Sequence, residues 1–289
     1  ELFGMVGPSW YAEGLAELLS VHRGSGASVK IGGVPPSNEA VPYWGRFPLI
    51  RKARERQEIP TLRELFTYDG DLQGDVESYG WVWLLILMLS EHEDYRAALQ
   101  QSMQDLTLTR SRFMERFRTR FAESWPIVQA RWRLTASTID YGYDWSRERC
   151  RIAITDPLWD GARLDVPVKS DRGWQSCGVR FAPGQVLRVT PSGRCTLQQT
   201  PKPWVSEPAG VTLRYVQGRP LGALLFCVLP NQTTEEQWLE PLEIKTLGSD
   251  TMITVKRHCW ILLRINDGLS ELADNRGGYQ VRIVSGEDR

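Results

Sequence analysis

Histidine is scarce in this chain: His22, His92 and His258 are the full set, and no two of them stand four residues apart. A helical pair of imidazoles for a zinc ion is therefore excluded within the sequence itself. The five cysteines, at 150, 177, 195, 227 and 259, form no C-x-x-C pair and no zinc-ribbon spacing. Neither a redox dithiol nor a structural zinc site is read from them, which leaves small buried core residues. An excess of one charge is also missing, since 35 Lys plus Arg balance 35 Asp plus Glu. With no long basic run either, nucleic acid is not an expected partner. Long apolar runs are absent too. The best, Trp81 to Leu89, has about half the length a helix needs to cross a bilayer, so it predicts a buried helix and no membrane span. The first residue is Glu1 and no signal peptide follows, so the sequence is expected to be a fragment of a longer protein.

What is present suffices for two cores. A chain of 289 residues with 42% apolar content is long enough for two domains. Residues 1–150 carry helical signals. Gly7-Pro8-Ser9 punctuates a helix start with Ser9 as the expected N-cap, and Ala12, Leu15, Ala16 and Leu19 follow at helical spacing. From Arg23 to Pro60 the chain is rich in Gly, Pro and charge and reads as a long excursion with a short helix near Leu49 to Arg56. Helices are predicted again at Glu77 to Leu89, Tyr95 to Gln104, Leu108 to Phe121 and Trp125 to Thr135. Phe113, Phe117 and Phe121 repeat every four residues, as a packed face does. Residues 151–165 read as a linker.

From Val166 on, the period changes from helix to strand. Tyr279, Val281 and Ile283 alternate with Gln280 and Arg282, the pattern of a half-buried strand, and Pro183-Gly184 suits a type II turn. Residues 166–289 therefore predict an antiparallel β-sandwich, and the whole chain an α+β class with an all-α domain first.

The chemically informative stretch lies between the strand-like runs Trp260 to Ile265 and Tyr279 to Val284. The loop there carries Asp267, Glu271, Asp274 and Asn275 and ends in Gly277-Gly278. Short carboxylate and amide side chains on one tight loop suit calcium, which takes roughly six to eight oxygens and accepts backbone carbonyls as well. Asp, Asn and Gly also simply make turns. The loop resembles the calcium site of the PA-IL type galactose-binding lectins, with an Asn-Asp pair, a six-residue gap, then a pair of Asn or Asp residues. Gly173-Trp174-Gln175, Pro183-Gly184-Gln185, Ser192-Gly193-Arg194 and Pro220-Leu221-Gly222-Ala223-Leu224 occur in the order that family shows. The resemblance implies calcium held by the side chains of Asp267, Asp274 and Asn275 and by the backbone carbonyl of Glu271, with a galactose-like carbohydrate as partner. Those lectins also hold the sugar with a His and a Gln on a neighbouring loop; here the Arg214 to Pro220 region offers Gln217 and no His.

A second likeness lies at the other end. Trp10-Tyr11-Ala12-Glu13-Gly14-Leu15-Ala16 resembles the W-x-x-E-G-x-A segment of gluzincin metallopeptidases. The likeness implies that Glu13 is the third zinc ligand of an intact protein whose H-E-x-x-H helix lies elsewhere, and that the site acts on a peptide substrate. Tyr79, opening the Trp81 helix, then corresponds to the tyrosine that donates to the oxyanion. From pattern alone, Glu13 and Glu17 read as solvated helix charges and Tyr79 as a core residue. Without H-E-x-x-H the chain is expected to be inactive alone. The leading expectation is a peptidase-related helical half joined to a lectin-like module, exported or at the cell surface. A carbohydrate-binding protein whose helices are only a scaffold is the alternative, and an interaction platform with neither site occupied is a third.

Overall fold

The computed structural model describes residues 7–23, 30–68, 75–231 and 242–286. Its contacts divide the chain into two compact units, Glu1–Tyr143 and Asp144–Arg289. Helices make up the first and antiparallel sheets most of the second, an α+β chain.

In the first unit the described elements run α1 (Ser9–Ser20), a short antiparallel pair β1 (His22–Arg23) and β2 (Lys30–Ile31), α2 (Arg46–Glu55), α3 (Leu62–Thr67), α4 (Val76–Glu91), α5 (Glu93–Met103), α6 (Arg110–Phe121) and α7 (Trp125–Thr138). The Asp75 carboxylate starts α4 by accepting from the backbone N–H groups of Glu77 and Ser78 at 3.2 and 3.4 Å. Every residue from Trp81 to Leu89 is buried. A helix apolar on all sides must be covered on all sides, and α1, α2, α5 and α7 pack around this one. Among the described residues no helix is long and apolar enough to cross a membrane.

Two local expectations for α1 fail. The cap position is Pro8, with no side-chain cap bond, and Ser9 is the first helical residue. The buried face is Trp10, Tyr11 and Gly14, whereas Ala16 and Leu19 face solvent. Two large rings outweigh alanines in the area they remove from water. Trp10 packs on Phe66 and Phe117, Tyr11 on Phe113, and the Tyr11 hydroxyl donates to the Leu99 carbonyl at 2.7 Å. The face Phe113, Phe117, Phe121 is buried.

The second unit opens with the short helix α8 (Trp145–Glu148). Its strands are β3 (Leu164–Lys169), β4 (Gln175–Phe181), β5 (Val186–Thr196), β6 (Val205–Ser206), β7 (Val211–Val216), β8 (Arg219–Leu221), β9 (Leu224–Pro230), β10 (Ile244–Thr246), β11 (Thr251–Thr254), β12 (Cys259–Ile265) and β13 (Arg276–Ser285). One sheet has the order β10-β9-β12-β4 and another β11-β5-β13-β3 with β6 on the β5 edge; β7 and β8 form a separate ribbon. Both larger sheets feed one core: Phe226, Ile261 and Leu263 from the first, Val168, Val189 and Val281 from the second. At the Pro183-Gly184 turn, Gly184 takes φ of +86°, open to glycine at no steric cost.

Strand β12 is buried at every position. Alternate residues Cys259, Ile261, Leu263 and Ile265 belong to the shared core. The opposite face is covered by the segment read from sequence as a linker and by the helix before it. Asp156 accepts from Trp260 Nε1 at 2.9 Å, and Glu148 accepts from Arg264 at 2.6 Å. The Trp159 N–H donates to the Arg180 carbonyl, and the Arg180 N–H donates to that of Pro157, each at 2.8 Å. Residues 144–163 thus form a strap over the first sheet. All five cysteines are buried, and burial pushes the Cys177 and Cys259 thiols up to about 12.

Candidate functional site

The loop after β12 is organised by two buried asparagines. Asn266 leaves the strand, and its Nδ2 donates to the carbonyls of Val216, Arg219 and Pro220 at 3.2, 3.0 and 2.9 Å. The β7–β8 ribbon is therefore fastened to the loop by one side chain. Asn275 closes the other end, where Nδ2 donates to the Ser170 carbonyl at 2.9 Å and to Asp267 Oδ2 at 2.8 Å. With both amide hydrogens taken by acceptors, the orientation of that amide is set. Its Oδ1 is buried and has no hydrogen-bond partner among the described residues.

Asp267, 4% exposed, has its other oxygen on the Gly268 N–H at 2.7 Å. Burial raises its carboxyl to about 6, against the opposing pull of the Asn275 and Gly268 hydrogen bonds. The loop thus holds a buried carboxylate and, on the residue whose amide nitrogen donates to it, a buried amide oxygen without a described partner. Oxygen donors of these two kinds are ones that a hard cation accepts.

The other two candidates are placed differently. Glu271 turns its carboxylate to Arg214 Nη2 at 2.6 Å, and its N–H donates to the Gly268 carbonyl at 3.0 Å. The Asp274 side chain is exposed at the end of a single 3-10 turn, Leu272–Asp274. Among the described residues no three His, Cys, Asp or Glu side chains form a group able to hold a metal ion. A cation at this loop would rest on one buried carboxylate, one buried amide, the Asp274 carboxylate and backbone oxygens. Behind the loop, Gly277 takes φ of +76°, and a Cβ on Gly278 would stand 2.1 Å from the Val168 carbonyl oxygen. Two glycines are what let β13 start flush against its neighbours.

The sequence singles out Asp267, Glu271, Asp274 and Asn275 as candidates and gives no prominence to Asn266 or Arg214. Asn266 adjoins Asp267 in the Asn-Asp pair, and only its three distant acceptors reveal its role. Arg214 carries no periodic signal. Gln217 sits in the Gln217-Gly218 turn with φ of +50°, its carbonyl accepting from Arg219 Nη1 at 3.3 Å.

In the first unit, α1 and α4 approach closely because position 14 has no side chain. A Cβ there would lie 2.6 Å from Ile86 Cγ1 and 2.7 Å from the Val82 carbonyl oxygen. On the same pair of helices, burial first, then the Glu13 and Glu17 carboxylates, raise the Tyr79 hydroxyl above its ordinary value. The Arg46 guanidinium lies over the Tyr79 ring at 5.5 Å and holds Glu17 through two bonds of 2.7 and 3.0 Å. Glu13 is half-buried and makes no hydrogen bond or ion pair with a described residue. His22 bonds to the Ser20 carbonyl at 3.2 Å and His92 caps α5, and among the described residues no group of three or more His, Cys, Asp or Glu able to hold a metal includes Glu13. One carboxylate is not a zinc site, and the described residues do not fit the ion by themselves.

No family model matches this chain, and no curated protein does. Among solved structures, one described as "EclA N-terminal domain; PllA-like lectin" is 17% identical over 43% of this chain and 96% of its own, with a TM-score of 0.33.

Proposed function

We propose that the second unit is a calcium-dependent carbohydrate-binding module, a β-sandwich of the PA-IL lectin kind. The orphan Oδ1 of Asn275, a residue whose amide nitrogen donates to the buried Asp267 carboxylate, carries the reading. Leaving a buried acceptor unpaired costs about 1–3 kcal/mol, and a bound cation removes that cost. Asp267, Asp274 and Asn275 would hold the ion with side-chain oxygens, and Glu271 with its backbone carbonyl, since Arg214 occupies its carboxylate. When bound, calcium supplies coordination positions for sugar hydroxyls. The order of the glycine, proline and aromatic segments along residues 173–224 supports the same assignment. The expected result is that the chain is retained on immobilised galactose in millimolar calcium and released by a chelator. Retention that a chelator does not affect would contradict the calcium dependence.

For the helical unit, the Trp10-x-x-Glu13-Gly14 likeness, with the Glu13 carboxylate raising the Tyr79 hydroxyl, favours the helical half of a gluzincin-like peptidase domain acting on peptides. Because Glu13 is a lone donor, no hydrolytic step is assigned to this chain. In a longer polypeptide with an H-E-x-x-H helix ahead of Glu1, Glu13→Gln is expected to release zinc. Metal analysis showing stoichiometric zinc in that variant would sink the reading and leave a carbohydrate-binding protein with a helical scaffold. An exported or cell-surface setting suits either form.

A further inference from the structure

Arg214 is placed at the mouth of the same loop by three independent features. Strand β7 pairs with β8 at Val211↔Leu221 and next at Tyr215↔Pro220, so Thr212, Leu213 and Arg214 bulge out of the ribbon. A bulge re-aims a side chain, and this one sends the guanidinium to Glu271 at 2.6 Å. The ribbon is held in place by the three Asn266 bonds to Val216, Arg219 and Pro220.

The Arg214–Glu271 pair is open, with side chains 39% and 40% exposed. An ion pair so exposed contributes at most about 1 kcal/mol, and an incoming carboxylate can share or displace it. Only Nη2 is engaged; the other N–H groups of the fork bond to no described residue. A guanidinium is a planar fork matched to a carboxylate, and such bonds are shorter and stronger than neutral ones. The chain carries no net charge, so long-range attraction would not select an anion. Any preference has to come from a local group such as this.

Resting on the carbohydrate reading of the loop, we propose that Arg214 makes the site select an acidic sugar, one whose ring bears a carboxylate, over the neutral sugar of the same configuration. The hydroxyls go to the cation and the carboxylate to the guanidinium. Calorimetric titration of the whole chain in millimolar calcium, with galacturonate and with galactose, tests this. Wild type is expected to bind galacturonate about tenfold more tightly, the size of one charge-assisted hydrogen bond. Arg214→Gln is expected to bring the two affinities together. Arg214→Lys, a point charge without the fork, should give an intermediate ratio. Equal affinities in the wild type, or an undiminished preference in Arg214→Gln, would overturn the role of Arg214 while leaving the carbohydrate reading standing. If neither sugar binds to wild type, that reading falls and the selectivity with it.

Discussion

A single methyl group decides how α1 meets α4. Alanine is favoured over glycine in a helix by about 1 kcal/mol, so Gly14→Ala would stabilise an isolated helix. In the folded unit the new Cβ would stand 2.7 Å from the Val82 carbonyl oxygen, which is backbone and cannot rotate away, and 2.6 Å from Ile86 Cγ1. Overpacking of this kind costs about 1–3 kcal/mol. Gly14→Ala is therefore expected to lower the denaturant midpoint of the helical unit and to shift Tyr79, whose surroundings depend on the contact. A midpoint equal to or above wild type would contradict the close approach. The motif Trp10-x-x-Glu13-Gly14 was legible in sequence. The face it buries was not, because spacing counts apolar positions and ignores that one tryptophan covers more surface than several alanines.

Between elements, the Glu148–Arg264 pair ties the strap to the first sheet. Arg264 stands between Leu263 and Ile265 and reads from alternation as the solvent face of a strand. Its partner lies 116 residues earlier in the chain, a separation that no local pattern reveals. Burial raises the Glu148 carboxyl and Arg264 opposes that rise. Removing the cation alone leaves a buried carboxylate unpaired, at a cost of about 3–5 kcal/mol, whereas replacing both partners by apolar groups is often near neutral. Arg264→Met is thus expected to destabilise the second unit strongly in urea, and Glu148→Leu added to it should recover most of the loss. Equal midpoints for the single and double variants would show that the pair does not act as a unit. Strand β13, by contrast, was readable in advance: Tyr279, Val281 and Ile283 are buried and Gln280 and Arg282 are exposed. One of its faces meets the core and the other meets water, which is the condition under which alternation carries information.

At the scale of the molecule, the change of period near Val166 marked where strands take over, and helices and antiparallel sheets divide along the chain accordingly. The contact boundary falls earlier, between Tyr143 and Asp144. Residues 151–165 lack both helical and strand periodicity, so from sequence they resemble a linker, although Trp159 belongs to the shared core and Asp156, with Glu148 just ahead of the segment, holds β12. A module trimmed to Val166 would lose that cover, and the whole chain is the proper material for binding work. The loop at 266–278 was legible as a set of oxygen-bearing side chains. Which of them are buried, and which turn to Arg214, depends on the ribbon and on Ser170, both far away in sequence. Calorimetric titration of the whole chain with calcium tests the central claim most directly. The account predicts binding of a single ion, a rise in melting temperature that grows with calcium concentration, and loss of both in Asp267→Asn. An absence of heat and of any melting shift at millimolar calcium, or unchanged binding in Asp267→Asn, would contradict it.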